Sequence, residues 1–150
     1  MPNDQPKNII GCDIGGVVRD LGSGLIKDNA AAAIASIMER GDEIHFISKC
    51  KPAMEVTIKN WLQVHSLDHV SIHFCRGNGD KLEIGNELKI NVMIDDKSVV
   101  LSAFPDTVRK IWFNPEKAKV DGAKKYQPDF LSSVNVVLSW WEVEGVVADA

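Results

Sequence analysis

The sequence predicts an α/β fold in which a parallel sheet of about five strands is covered by helices on both faces, the doubly wound arrangement. Two observations indicate this class. Short apolar segments alternate with segments whose apolar residues recur at helical spacing, and this alternation is typical of β-α-β units. The first apolar segment, residues 8–14, is apolar on both faces of the strand it predicts, as expected for a strand at the centre of a parallel sheet.

The bulk composition limits the classes of function. The 150 residues include 45% apolar and 25% charged side chains, which fits one globular domain over residues 1–150. A net charge of -4 argues against a general nucleic-acid-binding surface. No apolar run is long enough to span a membrane, and the N-terminus lacks a signal-peptide core. We therefore expect a cytoplasmic protein without a membrane partner. Its three widely spaced cysteines favour reduced thiols.

The N-terminal part of the chain predicts one strand and one helix joined by a glycine-containing segment. Asp28 or Asn29 can cap the helix, and Gly41 ends it. The expected elements are, in order, a loose leader over residues 1–7, a strand over 8–14, a loop or small flap over 15–27, and a helix that runs to about Arg40.

The middle of the chain continues the alternation of strands and helices. Residues 70–74 alternate apolar and polar side chains, which places the third strand near an edge of the sheet. Asp80–Glu83 has the pattern of a capping box, so Lys81 is expected to open a helix. The expected elements are a strand over 43–48, a helix from Pro52 to His65, strands over 70–74 and 90–94, a helix over 98–104 and a strand over 108–113.

The C-terminal part is expected to contain a polar, irregular segment over 114–128 and then one last helix, with residues 145–150 frayed. Of Trp140 and Trp141, one is expected in the core and the other at the surface, which favours a homodimer. The apolar stripe of the last helix is formed by Phe130, Leu131, Val134, Val137, Leu138 and Trp141.

Polar side chains follow several strands of the predicted sheet. Asp13 ends the first strand, Ser48 the second, and Asp95 and Asp96 the fourth, while Lys81 opens the helix after the third. The carboxyl ends of parallel strands lie at one edge of a sheet, where α/β proteins bind their ligands. We therefore expect these side chains to meet there.

The carboxylates of this group predict a metal site. A carboxylate can attack phosphorus and form an aspartyl phosphate, and a dianionic phosphate ester needs charge neutralisation first. Mg²⁺ supplies it when held by one or two carboxylates, phosphate oxygens and waters. The expected ligands are Asp13, the Gly15 carbonyl and Asp95 or Asp96.

The remaining groups predict a phosphate site. Lys81 would hold the phosphoryl oxygens as a point charge. Ser48 would donate a hydrogen bond to the same oxygens, and backbone amides after Asp13, including that of Gly16, could do likewise.

Each of these residues also has a purely structural interpretation. Asp13 could be a turn residue, and the Asp95–Asp96 pair could cap the following helix. Lys81 could be a solvated lysine in a first helical turn, and Ser48 could cap the helix after its strand. The predicted convergence on one edge favours the functional interpretation.

The order and spacing of these groups resemble the haloacid-dehalogenase-like hydrolases. The motifs of that family are an apolar strand followed by Asp-x-Asp-Gly, a Ser or Thr, a Lys, and an acidic pair. The matching residues are Asp13–Val18, Ser48, Lys81 and Asp95–Asp96. The resemblance implies a three-layer, Rossmann-like fold and a Mg²⁺-dependent phosphomonoester phosphatase that works through an aspartyl phosphate. Within the family, residues 58–62 and the acidic pair loosely resemble the 5′(3′)-deoxyribonucleotidase branch, which implies a nucleotide substrate.

Two departures from the family pattern change the expectation. Phosphatases of the family carry a second aspartate two residues after the nucleophile as acid and base, whereas position 15 here is glycine. Such catalysis typically contributes about 10²–10⁴-fold, so turnover is expected to be slow unless another group, such as Asp20, substitutes. The intervals between Asp13, Ser48 and Lys81 also leave no room for a cap domain. The site is then open, or is closed by another subunit.

Two functions of different classes follow. One is a phosphatase that acts on a phosphorylated small molecule or macromolecule. The other is a catalytically inactive domain of the same fold, which binds metal and phosphate for recognition or assembly, and Gly15 motivates it.

Overall fold

The computed structural model describes residues 6–150, which form a central parallel sheet with helices on both faces. The sheet has six strands rather than about five, in the order β3-β2-β1-β4-β5-β6, and every neighbouring pair is parallel. The predicted fold class is confirmed. The strands are β1 (Ile9–Cys12), β2 (Glu43–Lys49), β3 (Ser71–Cys75), β4 (Val92–Asp95), β5 (Arg109–Phe113) and β6 (Val134–Val137).

The helices are divided between the two faces of the sheet. A core beneath α1, α2 and α7 packs on one face, and a core beneath α3 to α6 packs on the other. None of the helices in the described range is long and apolar enough to cross a membrane. The helices are α1 (Ala30–Glu39), α2 (Glu55–Val64), α3 (Asn78–Leu88), α4 (Ser98–Ala103), α5 (Lys117–Tyr126), α6 (Pro128–Ser133) and α7 (Trp140–Ala148), and a 3-10 turn over Pro52–Met54 precedes α2.

Strand β1 is central, as its apolar pattern predicts, and is flanked by β2 and β4. Ile10 and Cys12 are fully buried on one face. On the other face Gly11 permits close packing, because a β-carbon there would lie 2.9 Å from Sδ of Met93 and 3.0 Å from Cδ1 of Ile47. This tight packing fixes the strand whose C-terminal end carries Asp13. Strand β3 lies at an edge of the sheet, also as predicted.

Of two predictions about helix starts, one is confirmed in position and the other is wrong. Asn29 occupies the N-cap position of α1 in a left-handed conformation, but its side chain makes no capping hydrogen bond. Helix α3 begins at Asn78, so Lys81 does not open it. Asp80 instead lies inside the first turn, where its Oδ2 accepts a hydrogen bond of 3.0 Å from the Gly77 amide. Lys81 consequently sits one turn into the helix.

The C-terminal part differs most from the prediction. Residues 117–126, predicted to be irregular, form α5. The expected last helix is divided into α6, β6 and α7, with β6 added to the edge of the sheet beside β5. Residues 145–148 do not fray, because α7 continues to Ala148 and buries Val147.

Two further predictions concern Trp140 and Trp141 near the C-terminus and the leader at the N-terminus. Trp140 is buried, where its Nε1 donates a hydrogen bond of 2.8 Å to the Val17 carbonyl, and Trp141 is exposed. One tryptophan in the core and one at the surface is therefore confirmed. The leader predicted over residues 1–7 lies largely outside the described residues. Within them, the Lys7 amide donates to the Gly41 carbonyl.

Candidate active site

The side chain of Lys81 is buried between two carboxylates at the carboxyl edge of the sheet. Its Nζ lies 3.2 Å from Oδ1 of Asp13 and 2.9 Å from Oδ2 of Asp95. The lysine is 1% exposed, which excludes a solvated first-turn lysine. A buried ammonium of this kind is held in place only where carboxylates compensate its desolvation.

Asp13 directly follows β1, and its backbone continues the pairing with β4 through a hydrogen bond of 3.0 Å from its amide to the Ile94 carbonyl. The side-chain Oδ1 accepts a hydrogen bond of 2.9 Å from the Ile14 amide. These two contacts fix both the residue and the direction of its carboxylate. Asp13 is 4% exposed and lines a cavity, so it is not merely a turn residue at the surface.

Asp95 and Asp96 differ in how their carboxylates are used. Both oxygens of Asp95 have partners, because Oδ2 accepts from Lys81 and Oδ1 accepts from the Lys97 amide at 2.9 Å. Oδ1 of Asp96 is buried without a hydrogen-bond partner in the described part of the chain, and its nearest cationic group, Nζ of Lys97, is 3.8 Å away. Of the two residues, Asp96 is therefore the one with a carboxylate oxygen available to bind a metal ion.

The electrostatics of the cluster show an excess of negative charge. Burial, and then the charge of Asp95, raise the pKa of Asp13 to about 7, although Lys81 opposes the shift. Burial likewise raises the pKa of Asp95. Burial disfavours the charged form of Lys81, but Asp13 and Asp95 outweigh that effect and raise its pKa. The buried ammonium of Lys81 thus pairs with two carboxylates, and the third, Asp96, has only the partly exposed Lys97 at 3.8 Å.

The three carboxylates fit a metal ion. Asp13, Asp95 and Asp96 each offer an oxygen, and these atoms lie within 4.8 Å of one another. Carboxylate oxygens are the ligands of hard divalent cations. Oδ1 of Asp96, which has no hydrogen-bond partner in the described part of the chain, is available to bind such a cation. Gly15, whose carbonyl is the fourth predicted ligand, lines the adjoining cavity together with Asp13.

Gly16 does not offer its amide to a phosphate, which corrects the prediction. That amide donates a hydrogen bond of 2.8 Å to the Arg19 carbonyl, because the loop after Asp13 folds back on itself. Gly16 has a φ of 82°, and a β-carbon on it would lie 2.8 Å from Cγ of Asp96. The glycine therefore provides space for the carboxylate of Asp96 rather than a phosphate contact.

Ser48, the penultimate residue of β2, is 4% exposed. It lines the same cavity as Asp13 and Lys81. The N-cap position of the next helical turn belongs to Lys51, so Ser48 does not cap it. The structure thus brings Ser48 to the edge where the carboxylates and Lys81 meet.

A cavity of about 340 Å³ opens above this cluster. Besides the polar groups, the cavity is lined by an apolar wall that consists of Leu21 from the loop after β1 and Met54, Ile58 and Trp61 from the helical segment after β2. Trp61 Nε1 donates a hydrogen bond of 3.0 Å to the Gly24 carbonyl, which joins α2 to that loop. Helical spacing of these apolar residues predicts only a buried helix face, so the sequence does not reveal the cavity wall.

The carboxylate of Asp20, the residue suggested as a substitute acid, is held by contacts within its own loop. It accepts hydrogen bonds from the amide and hydroxyl of Ser23, at 2.8 Å and 2.9 Å, and pairs with Lys27 at 3.2 Å. These hydrogen bonds lower its pKa to about 2 and so disfavour the protonated form that a general acid needs. Asp20 is also absent from the residues that line the cavity.

No protein-family model and no curated protein matches the chain. Solved structures with the same fold match most of its length. The D,D-heptose 1,7-bisphosphate phosphatase from Burkholderia thailandensis is 16% identical with a TM-score of 0.66, covering 95% of this chain and 97% of that chain. The cobalt-bound deoxy-D-mannose-octulosonate 8-phosphate phosphatase from Haemophilus influenzae is 12% identical with a TM-score of 0.58, covering 97% and 89% respectively.

These structural neighbours are phosphatases of the haloacid-dehalogenase-like superfamily. The chain therefore has the haloacid-dehalogenase-like fold, in a form without a cap domain. The resemblance inferred from the four sequence motifs is confirmed at the level of the fold. The finer resemblance to the nucleotidase branch stays a prediction.

Proposed function

We propose that the chain is a metal-dependent phosphatase that acts on phosphomonoesters through an aspartyl phosphate on Asp13. The observation that carries this proposal is the burial of the Lys81 ammonium between Asp13 and Asp95, on the floor of a cavity that could admit a substrate. The cation neutralises part of the charge that repels a phosphate dianion from a carboxylate. The fold of the structural neighbours, which are phosphatases, supports the same class of reaction.

The residues have distinct roles in this proposal. An oxygen of Asp13 attacks phosphorus, because its carboxylate is held rigidly at the end of β1. Lys81 and Ser48 bind the phosphoryl oxygens. Asp95, with both oxygens in use, positions Lys81 and the start of α4.

We assign the metal to Asp13, Asp96 and the Gly15 carbonyl, with Asp95 close by. When bound, Mg²⁺ would supply positive charge beside the phosphoryl group. Asp96 is the carboxylate of the pair with an oxygen free for this purpose. The cobalt-bound state of one structural neighbour agrees with a divalent ion in this fold.

The second candidate function is a domain that binds metal and phosphate for recognition or assembly without turnover. Gly15, which has no side chain, and Asp20, whose carboxylate is held within its own loop and does not line the cavity, favour it. Both functions use the same pocket, and only the fate of a bound phosphate ester distinguishes them.

The two functions are tested with a broad panel of phosphomonoesters in the presence of Mg²⁺. We expect slow release of phosphate by the natural chain and none by Asp13→Asn, while Asp121→Asn, an exposed change on α5, retains the activity. Activity retained in Asp13→Asn would contradict the phosphatase proposal. Binding of Mg²⁺ in calorimetry without any phosphate release would favour the binding domain.

A further inference from the structure

The cavity beside Asp13 has a composition that selects among phosphate esters. Its apolar wall is formed by the side chains of Leu21, Met54, Ile58 and Trp61, with Thr57 as the one hydroxyl group among the lining residues of α2. Most of this wall offers no hydrogen-bond partner to the hydroxyl groups of a sugar or polyol, whose desolvation would be largely uncompensated. It does offer contact to an apolar or aromatic group, with the indole of Trp61 as a surface for ring packing.

Besides Asp13 itself, the described residues that line the same cavity offer no carboxylic acid or imidazole to protonate a leaving group, and ammonium and thiol groups are much weaker acids. Its other ionisable groups are the cations Arg19, Lys49, Lys81 and Lys97 and the thiol of Cys50. A departing oxygen therefore leaves largely without the help of a strong proton donor. Such departure is fast only when the oxygen anion is stable without a proton, as a phenolate is and an alkoxide is not.

From these two observations, and resting on the proposed function, we infer that the substrate class is the aryl phosphate monoester, with its ring against the wall of Leu21 and Trp61. In the first step an oxygen of Asp13 forms a bond to phosphorus. The bond between phosphorus and the aryl oxygen breaks, and the aryloxide leaves with the bonding electron pair. Arg19 and Lys49 supply positive charge along its way out of the cavity.

The second step hydrolyses the aspartyl phosphate and regenerates the free carboxylate of Asp13. Water attacks phosphorus, loses its proton to solvent, and the bond between phosphorus and the Asp13 oxygen breaks to release inorganic phosphate. No side chain in the cavity is placed to take that proton. The second step is therefore slow, and the phosphorylated chain accumulates.

The proposal is tested by comparing phosphoryl donors in the presence of Mg²⁺: 4-nitrophenyl phosphate, ring-substituted phenyl phosphates, and glycerol 2-phosphate. We expect each phenyl ester to release a burst of about one phenol per chain and then to turn over slowly. The burst rate rises as the phenol becomes more acidic, and glycerol 2-phosphate gives no burst. Reaction of glycerol 2-phosphate as fast as the phenyl esters would overturn the proposal.

Three further phosphoryl donors distinguish the possible sources of the substrate and show which of the two proposals fails. Free phosphotyrosine and a phosphotyrosine peptide distinguish a small aryl ester from one carried by a polypeptide, and a burst with either supports the proposal. Acetyl phosphate needs neither a proton nor an apolar wall. Phosphorylation of Asp13 by acetyl phosphate but by no aryl ester would overturn the aryl proposal alone, whereas no phosphorylation by any donor would overturn the proposed function as well.

Two leucines of the same loop give a matched pair of variants for the apolar wall. Leu21 is 64% exposed and lines the cavity, whereas Leu25 is 67% exposed and does not. We expect Leu21→Ser to lower the preference for 4-nitrophenyl phosphate over acetyl phosphate roughly fivefold, through lost apolar contact. Leu25→Ser should leave that preference unchanged. If both variants showed the same preference for 4-nitrophenyl phosphate over acetyl phosphate, the proposed contact between Leu21 and the ring would be overturned.

Discussion

The carboxylate of Asp96 lies over the α-carbon of Gly16, so close that a β-carbon on residue 16 would sit 2.8 Å from its Cγ. The loop after β1 and the turn after β4 are thereby packed against each other at the candidate metal site. Because the φ of Gly16 is 82°, a residue with a side chain is also strained there in its backbone.

Replacing that glycine is expected to weaken metal binding. In Gly16→Ala the new methyl group displaces the Asp96 carboxylate, and changes of this kind beside a metal site cost roughly 10–100-fold in affinity. Calorimetric titration with Mg²⁺ measures the effect. The control is Gly22→Ala in the same loop, where the nearest atom to the added β-carbon is 3.5 Å away. Equal Mg²⁺ affinity in both variants would exclude this site for the ion.

The free energy of unfolding should depend strongly on Lys81. Lys81→Met leaves Asp13 and Asp95 buried without their cation, and breaking a buried pair in this way costs about 3–5 kcal/mol. Lys97→Met, whose side chain is 44% exposed, should cost less than about 1 kcal/mol. Urea denaturation measures both. We expect the loss in Lys81→Met to be smaller at pH 7 than at higher pH, because Lys81 lowers the pKa of Asp13 and its removal lets that carboxyl group take up a proton at a higher pH than in the natural chain.

The pH dependence of stability follows from the raised pKa of Asp13. Its pKa is 3.8 in an unstructured chain and about 7 in the folded protein without metal. The folded state holds the proton more tightly, so this group favours folding below pH 3.8, and that contribution is lost as the pH rises to about 7. In Asp13→Asn the side chain at position 13 does not ionise, so this loss of stability with rising pH does not occur.

The Asp13→Asn variant should therefore be more stable than the natural chain by roughly 1–3 kcal/mol at pH 7 and above, with the advantage vanishing near pH 3.8. Metal-free protein unfolded in urea at a series of pH values gives this difference directly. Asp121→Asn provides the comparison at an exposed site. An advantage that does not change with pH would show that burial of Asp13 does not shift its ionisation.

Restoring a carboxylic acid at position 15 is expected to raise turnover. In Gly15→Asp the added β-carbon meets only Cδ2 of the flexible, exposed Leu21, at 3.0 Å. General acid–base catalysis typically contributes about 10²–10⁴-fold, and glycerol 2-phosphate should become a substrate. Steady-state release of phosphate measures the gain, and Gly15→Asn, which adds similar volume without an acid, should give none. Equal rates in the two variants would show that proton transfer is not what limits the natural chain.

The convergence of the site could be predicted because chain order and fold class together place strand ends at one edge. Asp13, Ser48 and Asp95 follow or end apolar strands, and parallel pairing brings them together whatever the details of packing. The role of Gly16 could not be predicted, because its amide is taken by a hydrogen bond within the loop. Such local loop contacts leave no periodic pattern in the sequence.

The C-terminal elements were mispredicted for a different reason. Val134 and Val137 are three residues apart, which fits a helix, and β6 is too short for its alternation to be recognised. Its β-branched residues were the available signal for a strand. Helix α5 buries only Ala123, so it lacks the apolar stripe by which a surface helix is recognised.

The account depends on Asp13 as the acceptor of a phosphoryl group, and one measurement tests this most directly. The chain is mixed with Mg²⁺ and 4-nitrophenyl phosphate or acetyl phosphate, quenched in acid, digested with trypsin and analysed by mass spectrometry. The tryptic peptide over residues 8–19 contains a single acidic side chain, that of Asp13. We expect this peptide to gain the mass of one phosphoryl group, in a form that hydroxylamine removes and that Asp13→Asn abolishes. Phosphate release that persists while this peptide stays unmodified, or labelling that survives in Asp13→Asn, would contradict the account.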